Sequence, residues 1–263
     1  MKTQAGNLWA GLLASTCFAI GASAAVLHVD LNNVNPVLPY ADWATAAADI
    51  QSAIDASSDG DLILVTNGVY QTGGRVVYGS LTNRVVIDKA VTVQSVNGPQ
   101  TTIIQGYQVP GILNDDSAIR CVYLTNNATL IGFTLTGGAT RNLYDFNTNI
   151  KERSGGGAWC ESSSSTISNC IVTRNSCYWC GAGVYSGTVI SSQISNNTNN
   201  HGSLGGGGGA AFSTLLNSTI SSNYLRNLGG GGAFSCILSN CAIVGNAMGG
   251  ALNCVLTDCT LEN

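Results

Sequence analysis

The sequence predicts an all-β chain wound as a solenoid of short strands, a parallel β-helix. A unit of Gly-Gly-Ala, an apolar pair, Cys or Ser, and Ile-x-x-Asn recurs through the second half of the chain, with a period of about twenty residues. That length suits three short strands with their turns, because a strand holds roughly 4 to 8 residues. Gly, Ser, Thr, Asn and Val/Ile dominate each unit, which excludes leucine-rich and α-helical repeats.

The N-terminus predicts a secretory signal peptide over residues 1–25. Lys2 supplies the positive charge, an apolar stretch follows, and Ala22-Ser23-Ala24 fits a small-x-small cleavage site. Because the apolar stretch is too short to span a bilayer, no transmembrane helix is expected in the mature chain. We therefore expect export, to the extracellular medium, the outer surface or the periplasm.

Residues 26–92 are predicted to form an N-terminal cap, and residues 93–263 the β-helix repeats. The cap begins with the strand-like Val26–Val29, and residues 43–56 are Ala-rich with Ala47, Ile50 and Ile54 at helical spacing. An amphipathic helix before the first coil would cover an apolar end of the solenoid. The sequence thus predicts one short capping helix over residues 43–56.

The repeats share one register, which identifies the residues of the interior. The apolar residue of the Ile-x-x-Asn step is Val172, Ile194, Ile220, Ile243 and Leu261, at steps of 22, 26, 23 and 18 residues. Two residues earlier stand Cys170, Ser192, Ser218, Cys241 and Cys259, and five residues earlier stand Ile167, Val189, Leu215, Leu238 and Leu256. Residues two apart on a strand share a face, so these positions are predicted to point inward.

An asparagine closes four of these steps and predicts a structural ladder. It stands at Asn175, Asn197, Asn223 and Asn246. Amides stacked at about 4.8 Å can hydrogen-bond along the solenoid axis, and Asn tolerates the left-handed backbone of a tight turn. The alternative is a row of amides that binds a ligand.

Composition limits the functions that are open to the chain. Its net charge is only −4, which argues against nucleic-acid binding. Between Glu161 and Asp258 there is no carboxylate, so the repeats can hardly host carboxylate catalysis. The candidate catalytic acids are Asp115 and Asp116, for which a solvated turn is the simpler interpretation. No cofactor and no metal site is expected.

Cys177-Tyr178-Trp179-Cys180 stands apart from the other cysteines. A single C-x-x-C in an exported chain fits a loop disulfide, half of a zinc site or a redox pair. No second C-x-x-C completes a zinc site, and no thioredoxin-like βαβ pattern surrounds it. We therefore predict a disulfide between Cys177 and Cys180.

Extra residues follow the Asn position of successive coils and predict a ligand-binding surface on one side of the stack. They occupy residues 139–154, 176–180, 198–204 and 224–228. Their candidate ligand-binding residues are Arg141, Lys151, Arg153, Tyr178, Trp179 and Arg226, with Tyr144, Phe146 and Tyr224 nearby. Basic side chains among aromatic ones suit sugars that carry carboxylates or sulfates. The alternative is that these loops only shield the stack.

Two segments carry a resemblance to known families. DIQSAIDASSDGDLILVTNGVY, residues 49–70, resembles the opening of pectin-lyase-like right-handed β-helix proteins, and LIGFTLTGG, residues 130–138, resembles their first regular coil. The Gly-Gly-Ala and Ile-x-x-Asn units are similar to repeats of chlamydial polymorphic membrane proteins, although this chain has Val, Ile or Leu where that family commonly has Phe. The resemblance implies a right-handed coil, but this fold carries lyases, hydrolases, epimerases and adhesins alike.

The function predicted from the sequence is an exported, non-catalytic binding module for carbohydrate, with acidic polysaccharide as the partner. The alternatives are a polysaccharide lyase or glycoside hydrolase of the same fold, and a structural stalk at the cell surface. Asn199-Asn200-His201-Gly202 departs from the Gly-His-Gly of polygalacturonases and lacks their accompanying acids. Residues 249–263 still spell a repeat, so we expect further sequence or a partner to cap that end.

Overall fold

A computed structural model of the chain describes residues 23–142, 150–200, 206–226 and 229–262. It confirms an all-β, right-handed parallel β-helix with a short helix near its N-terminal end. The predicted signal peptide lies almost entirely outside the described residues. Within those residues, no helix has the length and apolarity needed to cross a bilayer.

Three long sheets form the faces of the solenoid, and a short fourth sheet is added to them. The first sheet runs in the order β1 (Val26–Val29), β2 (Leu62–Val65), β6 (Thr92–Ser95), β9 (Thr129–Ile131), β12 (Thr166–Ser168), β16 (Thr188–Ile190), β20 (Thr214–Leu216), β24 (Ile237–Ser239) and β27 (Val255–Thr257). The second contains β3 (Gly68–Tyr70), β7 (Thr102–Gln105), β10 (Thr134–Thr136), β13 (Ile171–Thr173), β17 (Gln193–Ser195), β21 (Thr219–Ser221), β25 (Ala242–Val244) and β28 (Thr260–Glu262).

The third sheet contains β4 (Arg75–Val76), β5 (Thr82–Ile87), β8 (Ile119–Leu124), β11 (Ala158–Cys160), β15 (Val184–Tyr185), β19 (Ala210–Ala211), β23 (Ala233–Phe234) and β26 (Ala251–Leu252). The fourth contains β14 (Ser176–Cys177), β18 (Thr198–Asn199) and β22 (Tyr224–Leu225). All pairings between these strands are parallel except that of β4 with β5. Strands β2, β3 and β5, from the segment predicted as a cap, already pair with strands of later coils; the domain boundaries themselves stay a prediction.

The strand register follows the predicted repeat. Val172 pairs with Ile194, Ile194 with Ile220, and Ile220 with Ile243 in the second sheet. These four side chains are fully buried in one continuous core. Ile243 pairs in turn with Leu261, which is 50% exposed because it lies on the last described coil. The predicted cover of this end, by further sequence or by a partner, stays a prediction.

The capping helix is shorter than the predicted range of residues 43–56, which was wrong at its N-terminal end. Helix α1 spans Ile50–Ala56, and Asp49 is its N-cap through a hydrogen bond from the Ser52 N–H. The preceding segment folds instead as a turn, in which the Asp42 carboxylate accepts from the Thr45 N–H at 2.9 Å. The Ala47 N–H donates to the His28 carbonyl, which extends the edge of β1 rather than the helix. A second, four-residue helix, α2, spans Ile150–Arg153.

Each ladder asparagine is held by the next one along the axis. The Asn175 side-chain N–H donates to Asn197 Oδ1 at 3.0 Å, and the same bond joins Asn197 to Asn223 and Asn223 to Asn246. The expectation that these residues are themselves left-handed was wrong. The positive φ falls one residue earlier, as at Arg174 (56°), because the turn must be made before the amide can point into the coil.

Candidate functional site

The fourth sheet builds one side of the candidate site. The residues that follow the ladder asparagines were expected to be loops, but after Asn175, Asn197 and Asn223 the first residues pair as β14, β18 and β22. The Thr198 N–H donates to the Asn175 carbonyl at 2.9 Å, and the Tyr224 N–H donates to the Asn197 carbonyl at 2.8 Å. Because the buried ladder fixes these carbonyls, it also fixes where the segments after the fourth sheet leave the stack.

Glycines of the Gly-Gly-Ala motif allow this sheet to lie against the coil. A Cβ at Gly156 would stand 2.0 Å from the Ser176 carbonyl oxygen, and a Cβ at Gly208 would stand 2.5 Å from that of Tyr224. Real Cβ atoms do not approach backbone so closely, so only glycine fits at these positions. The Gly-Gly-Ala motif, which the sequence analysis used only to recognise the repeat, therefore also marks where the backbone of the coil and that of the fourth sheet lie close together.

An open cleft of about 300 Å³ lies where these segments meet the loop before β8. Five of its eight lining residues carry polar side chains; the lining comprises Gly111, Ile112, Leu113, Asn114, Asn142, Tyr178, Asn200 and Arg226. No carboxylate is among these lining residues, and Arg226 is exposed. Among the described residues, no acid lies within ion-pair distance of Arg226. The cleft therefore places a cation, the partly exposed amides of Asn142 and Asn200, and a phenol beside a ligand.

Buried hydrogen bonds hold the cleft in shape. Asn114 Oδ1 accepts from the Ser176 hydroxyl at 2.6 Å and from the Asn200 amide at 2.8 Å, while its own amide donates to the Thr140 carbonyl at 3.1 Å. Asn114 and Ser176 are both buried. Because their polar groups are satisfied inside the protein, the cleft does not depend on a ligand for its form.

Arg153 lies beneath the aromatic wall of the cleft rather than in it. It is only 4% exposed, and its guanidinium carbon lies 5.3 Å from the Tyr178 ring centroid and 4.7 Å from that of Trp179. The Tyr178 and Trp179 N–H groups both donate to the Arg153 carbonyl. Cation–π contacts of this kind orient the two rings. The structure thus gives Arg153 a supporting position and Tyr178 a lining one.

Arg141 is held by two acids close to the cleft. Its guanidinium lies 2.8 Å from Glu152 Oε1 and 2.7 Å from Asp116 Oδ1. The Glu152 carboxylate is buried and also accepts from the Ser80 and Leu81 N–H groups. Asp115 accepts from the Asp116 N–H at 2.5 Å. Of the two predicted acids, Asp116 therefore joins Arg141 and Glu152 in an ion-pair network, Asp115 accepts only a backbone N–H among the described residues, and neither acid is on the lining of the cleft.

Lys151 belongs to a separate cluster on the outer face of the third sheet. Its ammonium lies 2.8 Å from Glu161 Oε1, which also accepts from the Tyr123 hydroxyl at 2.5 Å and the Trp159 N–H at 3.2 Å. Burial alone would raise the pKa of Glu161, but the hydrogen bonds from Lys151 and Tyr123 outweigh it, and the pKa is lowered. Sequence analysis missed this cluster, because nothing in the spacing places Tyr123 beside Glu161.

Cys177 and Cys180 are both buried and are free thiols in this structure. Burial raises the pKa of Cys180 to about 11 and also raises that of Cys177. Buried neutral thiols are poor nucleophiles and poor metal ligands. The predicted disulfide between them stays a prediction. Within the part of the chain that the structure describes, no group of three or more His, Cys, Asp or Glu side chains is placed to hold a metal ion.

Cys254 is the one described thiol whose pKa is lowered, to about 7, chiefly by the hydrogen bond from the Cys236 thiol. We expect iodoacetamide to modify Cys254 at a rate that rises as the pH passes through about 7, because the thiolate is the nucleophile. Buried Cys170, with a pKa raised to about 11, should stay unmodified in the folded protein. Timed alkylation followed by peptide mass spectrometry measures both rates.

The matched variant is Cys236→Ala, which removes the thiol that donates to Cys254 and should move its alkylation profile to higher pH. Equal rates at Cys254 and Cys170 in the folded wild type would contradict this account.

No protein-family model matches the sequence, and no curated protein matches it. Among solved structures, the chain is similar to the pectate lyase Pel9A, with a TM-score of 0.53, 16% identity, and coverage of 86% of this chain and 55% of that one. A rhamnogalacturonan lyase gives a TM-score of 0.49 at 12% identity, over 91% of this chain and 62% of that one. Pectin methylesterase PemA from Erwinia chrysanthemi gives a TM-score of 0.46 at 8% identity, over 92% of this chain and 82% of that one.

The chain spans 55% and 62% of the length of the first two of these proteins. These comparisons do not show similarity to chlamydial polymorphic membrane proteins, which stays a prediction. At such low identity the likeness extends to the fold and not to the site. The likeness to Pel9A thus agrees with the right-handed parallel β-helix architecture of this chain.

Proposed function

We propose that the protein is an exported, non-catalytic binding module for acidic carbohydrate, and that the cleft around Arg226 is its ligand site. The observation that carries the proposal is the lining of this cleft, which combines an exposed arginine, three asparagines and a tyrosine without a carboxylate. Arginine pairs with carboxylates in a two-pronged geometry, and amides both donate to and accept from sugar hydroxyls.

The form of the cleft suits a sugar chain better than a small apolar ligand. It is open, so a polymer can enter from the side, and Tyr178 offers a ring face and a hydroxyl together. Trp179 is half-buried next to it, against the same Arg153 guanidinium. In this proposal Arg226 binds a uronate carboxylate, Tyr178 packs on a sugar ring, and Asn142 and Asn200 bind hydroxyls.

Catalysis is not part of the proposal, because the lining has no group to protonate a glycosidic oxygen. Glycoside hydrolysis needs a pair of carboxyl groups on either side of the scissile bond. Asp116 is paired with Arg141, and neither Asp115 nor Asp116 is on the lining. His201 and the aromatic residues Tyr144 and Phe146 lie outside the described residues.

The test is calorimetric titration with oligogalacturonates at low and high salt. We expect weak binding, with a Kd of about 0.1 to 1 mM, that is lost at high salt because surface ion pairs are screened. Arg226→Gln should weaken it about fivefold to tenfold, as expected for loss of a charge-assisted hydrogen bond, and Tyr178→Ala should weaken it comparably. Fully methyl-esterified oligomers, which lack the charge, should bind no better to wild type than to Arg226→Gln.

The matched control is Arg75→Gln, which removes the same charge at a distant ion pair with Asp55 and should leave binding unchanged. Equal losses in Arg75→Gln and Arg226→Gln would mean that only net charge matters and would overturn the assignment of the cleft. Release of reducing ends or unsaturated uronates, abolished by Asp115→Asn or Asp116→Asn, would replace the proposal with a hydrolase or lyase. Absence of binding to any glycan would favour a structural stalk.

A further inference from the structure

A second cavity, of about 230 Å³, lies near the N-terminal end of the solenoid, far along the chain from the residues of the cleft. Helix α1, the end of β3 and the beginning of β5 surround it. Its lining comprises Leu31, Asp49, Ile50, Gln51, Tyr70, Thr72, Gly73, Gly74, Arg84 and Val85. Aliphatic and polar side chains share this lining, which includes one cation, Arg84, and one carboxylate, Asp49.

The cation is Arg84, which is only 8% exposed. Its Nε donates to the Gln105 carbonyl at 2.9 Å, and its Nη1 donates to the Gly73 carbonyl. Among the described residues, no acceptor is within hydrogen-bond distance of its Nη2, and no carboxylate lies within ion-pair distance. A buried charge is costly unless it is paired, so this guanidinium is poised for an anion.

Arg120, the other buried arginine of the third sheet, shows what a structural arginine looks like in this protein. It is 3% exposed, and all three of its guanidinium nitrogens donate to protein oxygens, on Gly155, Asn83, Ser154 and Lys151. It lines neither of the two cavities described above. Arg84 differs from Arg120 in lining a cavity and in having hydrogen bonds to described residues from only two of its three guanidinium nitrogens.

The carboxylate of the cavity limits which anion can enter. Asp49 caps helix α1, with Oδ1 accepting from the Ser52 N–H at 2.8 Å and Oδ2 from the Ser52 hydroxyl at 2.7 Å. Each oxygen keeps a second lone pair that can accept from a ligand. Gln51 and Tyr70 are already bonded to the protein through Val86 and Thr66. An anion in the cavity therefore needs its negative end at Arg84 and hydrogen-bond donors at Asp49.

We propose that this cavity binds a small polyhydroxy carboxylate, of the size of one sugar acid, with its carboxylate on Arg84 and a hydroxyl on Asp49. The site is independent of the cleft around Arg226. The cavity is small, about 230 Å³ against roughly 300 Å³ or more for typical small-molecule pockets, so a single sugar acid is the ligand proposed.

The test uses galacturonate as the probe, on the Arg226→Gln variant so that the cleft does not contribute. Titration followed by amide NMR should shift the Gly73 and Gly74 resonances in a saturable way. Galactose, which lacks the charge, and propionate, which lacks the hydroxyls, should each bind at least tenfold more weakly. Arg84→Gln should weaken galacturonate binding at least tenfold.

Because Arg84 also binds two carbonyls, Arg84→Gln can fail to fold, and a second variant keeps the test decisive. Thr72→Trp places a large ring at the exposed mouth of the cavity and leaves Arg84 in place. It should lower galacturonate affinity at least tenfold without changing Tm. Unchanged affinity in Thr72→Trp, equal binding of all three probes, or no shift with galacturonate would overturn the proposal. If oligogalacturonates do not bind at the cleft around Arg226, the outcomes expected for this cavity stay the same.

Discussion

Replacing Ile220 with Asp is expected to destabilise the protein by about 4 kcal/mol or more, the range of substitutions that bury an unpaired charge. Ile220 is fully buried and pairs with Ile194 on one side and Ile243 on the other, so a carboxylate there meets only apolar side chains of adjacent coils. For a chain of this size such a loss lowers Tm by about 10 °C. Thermal unfolding followed by circular dichroism measures it.

The control is Thr219→Asp, which adds the same charge to the neighbouring residue of β21, where the side chain is exposed. Thr219→Asp should change the free energy of unfolding by no more than about 0.5 kcal/mol. Equal melting of the Ile220→Asp variant and the wild type would refute the inward register of the whole second sheet, since all its coils share that register.

Replacing Asn223 with Ala is expected to cost about 3 to 5 kcal/mol, because it breaks the buried ladder in the middle. Asn223 Oδ1 accepts from both the backbone N–H and the side-chain amide of Asn197, each at 3.0 Å. Its own amide donates to the Ile194 carbonyl at 2.8 Å and to Asn246 Oδ1 at 3.0 Å. Truncation leaves these groups buried without partners. Denaturant unfolding gives the free energy, and hydrogen exchange at the Asn197 N–H should accelerate.

Asn240→Gly is the matched control for the ladder. Asn240 is exposed, with a φ of 53° that glycine adopts without strain, and its amide bonds only to the exposed Asn217. We expect a change within about 0.5 kcal/mol. A loss of unfolding free energy as large as that of Asn223→Ala would mean that the contribution of the ladder asparagines to stability does not come from the burial of their amides.

The fold could be predicted from the sequence because, in a solenoid, residues that are neighbours in space are one repeat apart in the sequence. Ile220 and Ile243 are identified as neighbours by spacing alone, and the pairing of β21 with β25 follows. The start of α1 could not be predicted in this way. Residues 43–49 have helical composition, but the Ala47 N–H is drawn to the His28 carbonyl of a strand earlier in the chain.

The candidate site was predictable only in part, for the same reason. Tyr178 and Arg226 follow ladder asparagines, so the repeat places them on one side of the stack. Asn114 and Ile112 carry no repeat signal, and only folding brings Asn114 to Ser176 and Asn200, which are 62 and 86 positions away in sequence. The sequence also does not reveal whether a given basic residue is exposed or buried. Arg153 lies inside an insertion that is rich in polar residues, yet its side chain is buried under two aromatic rings.

The unequal lengths of the coils have an evolutionary consequence. Steps of 22, 26, 23 and 18 residues all return the chain to the same inward position, because every added residue leaves after a ladder asparagine. Insertions at that point change the surface beside the ladder without shifting the register of the core strands, while the other turns keep the coil closed. Under the proposed function, selection on binding would act mainly on these inserted residues and selection on folding on the inward positions, so that a lineage could diversify the cleft at little risk to its stability.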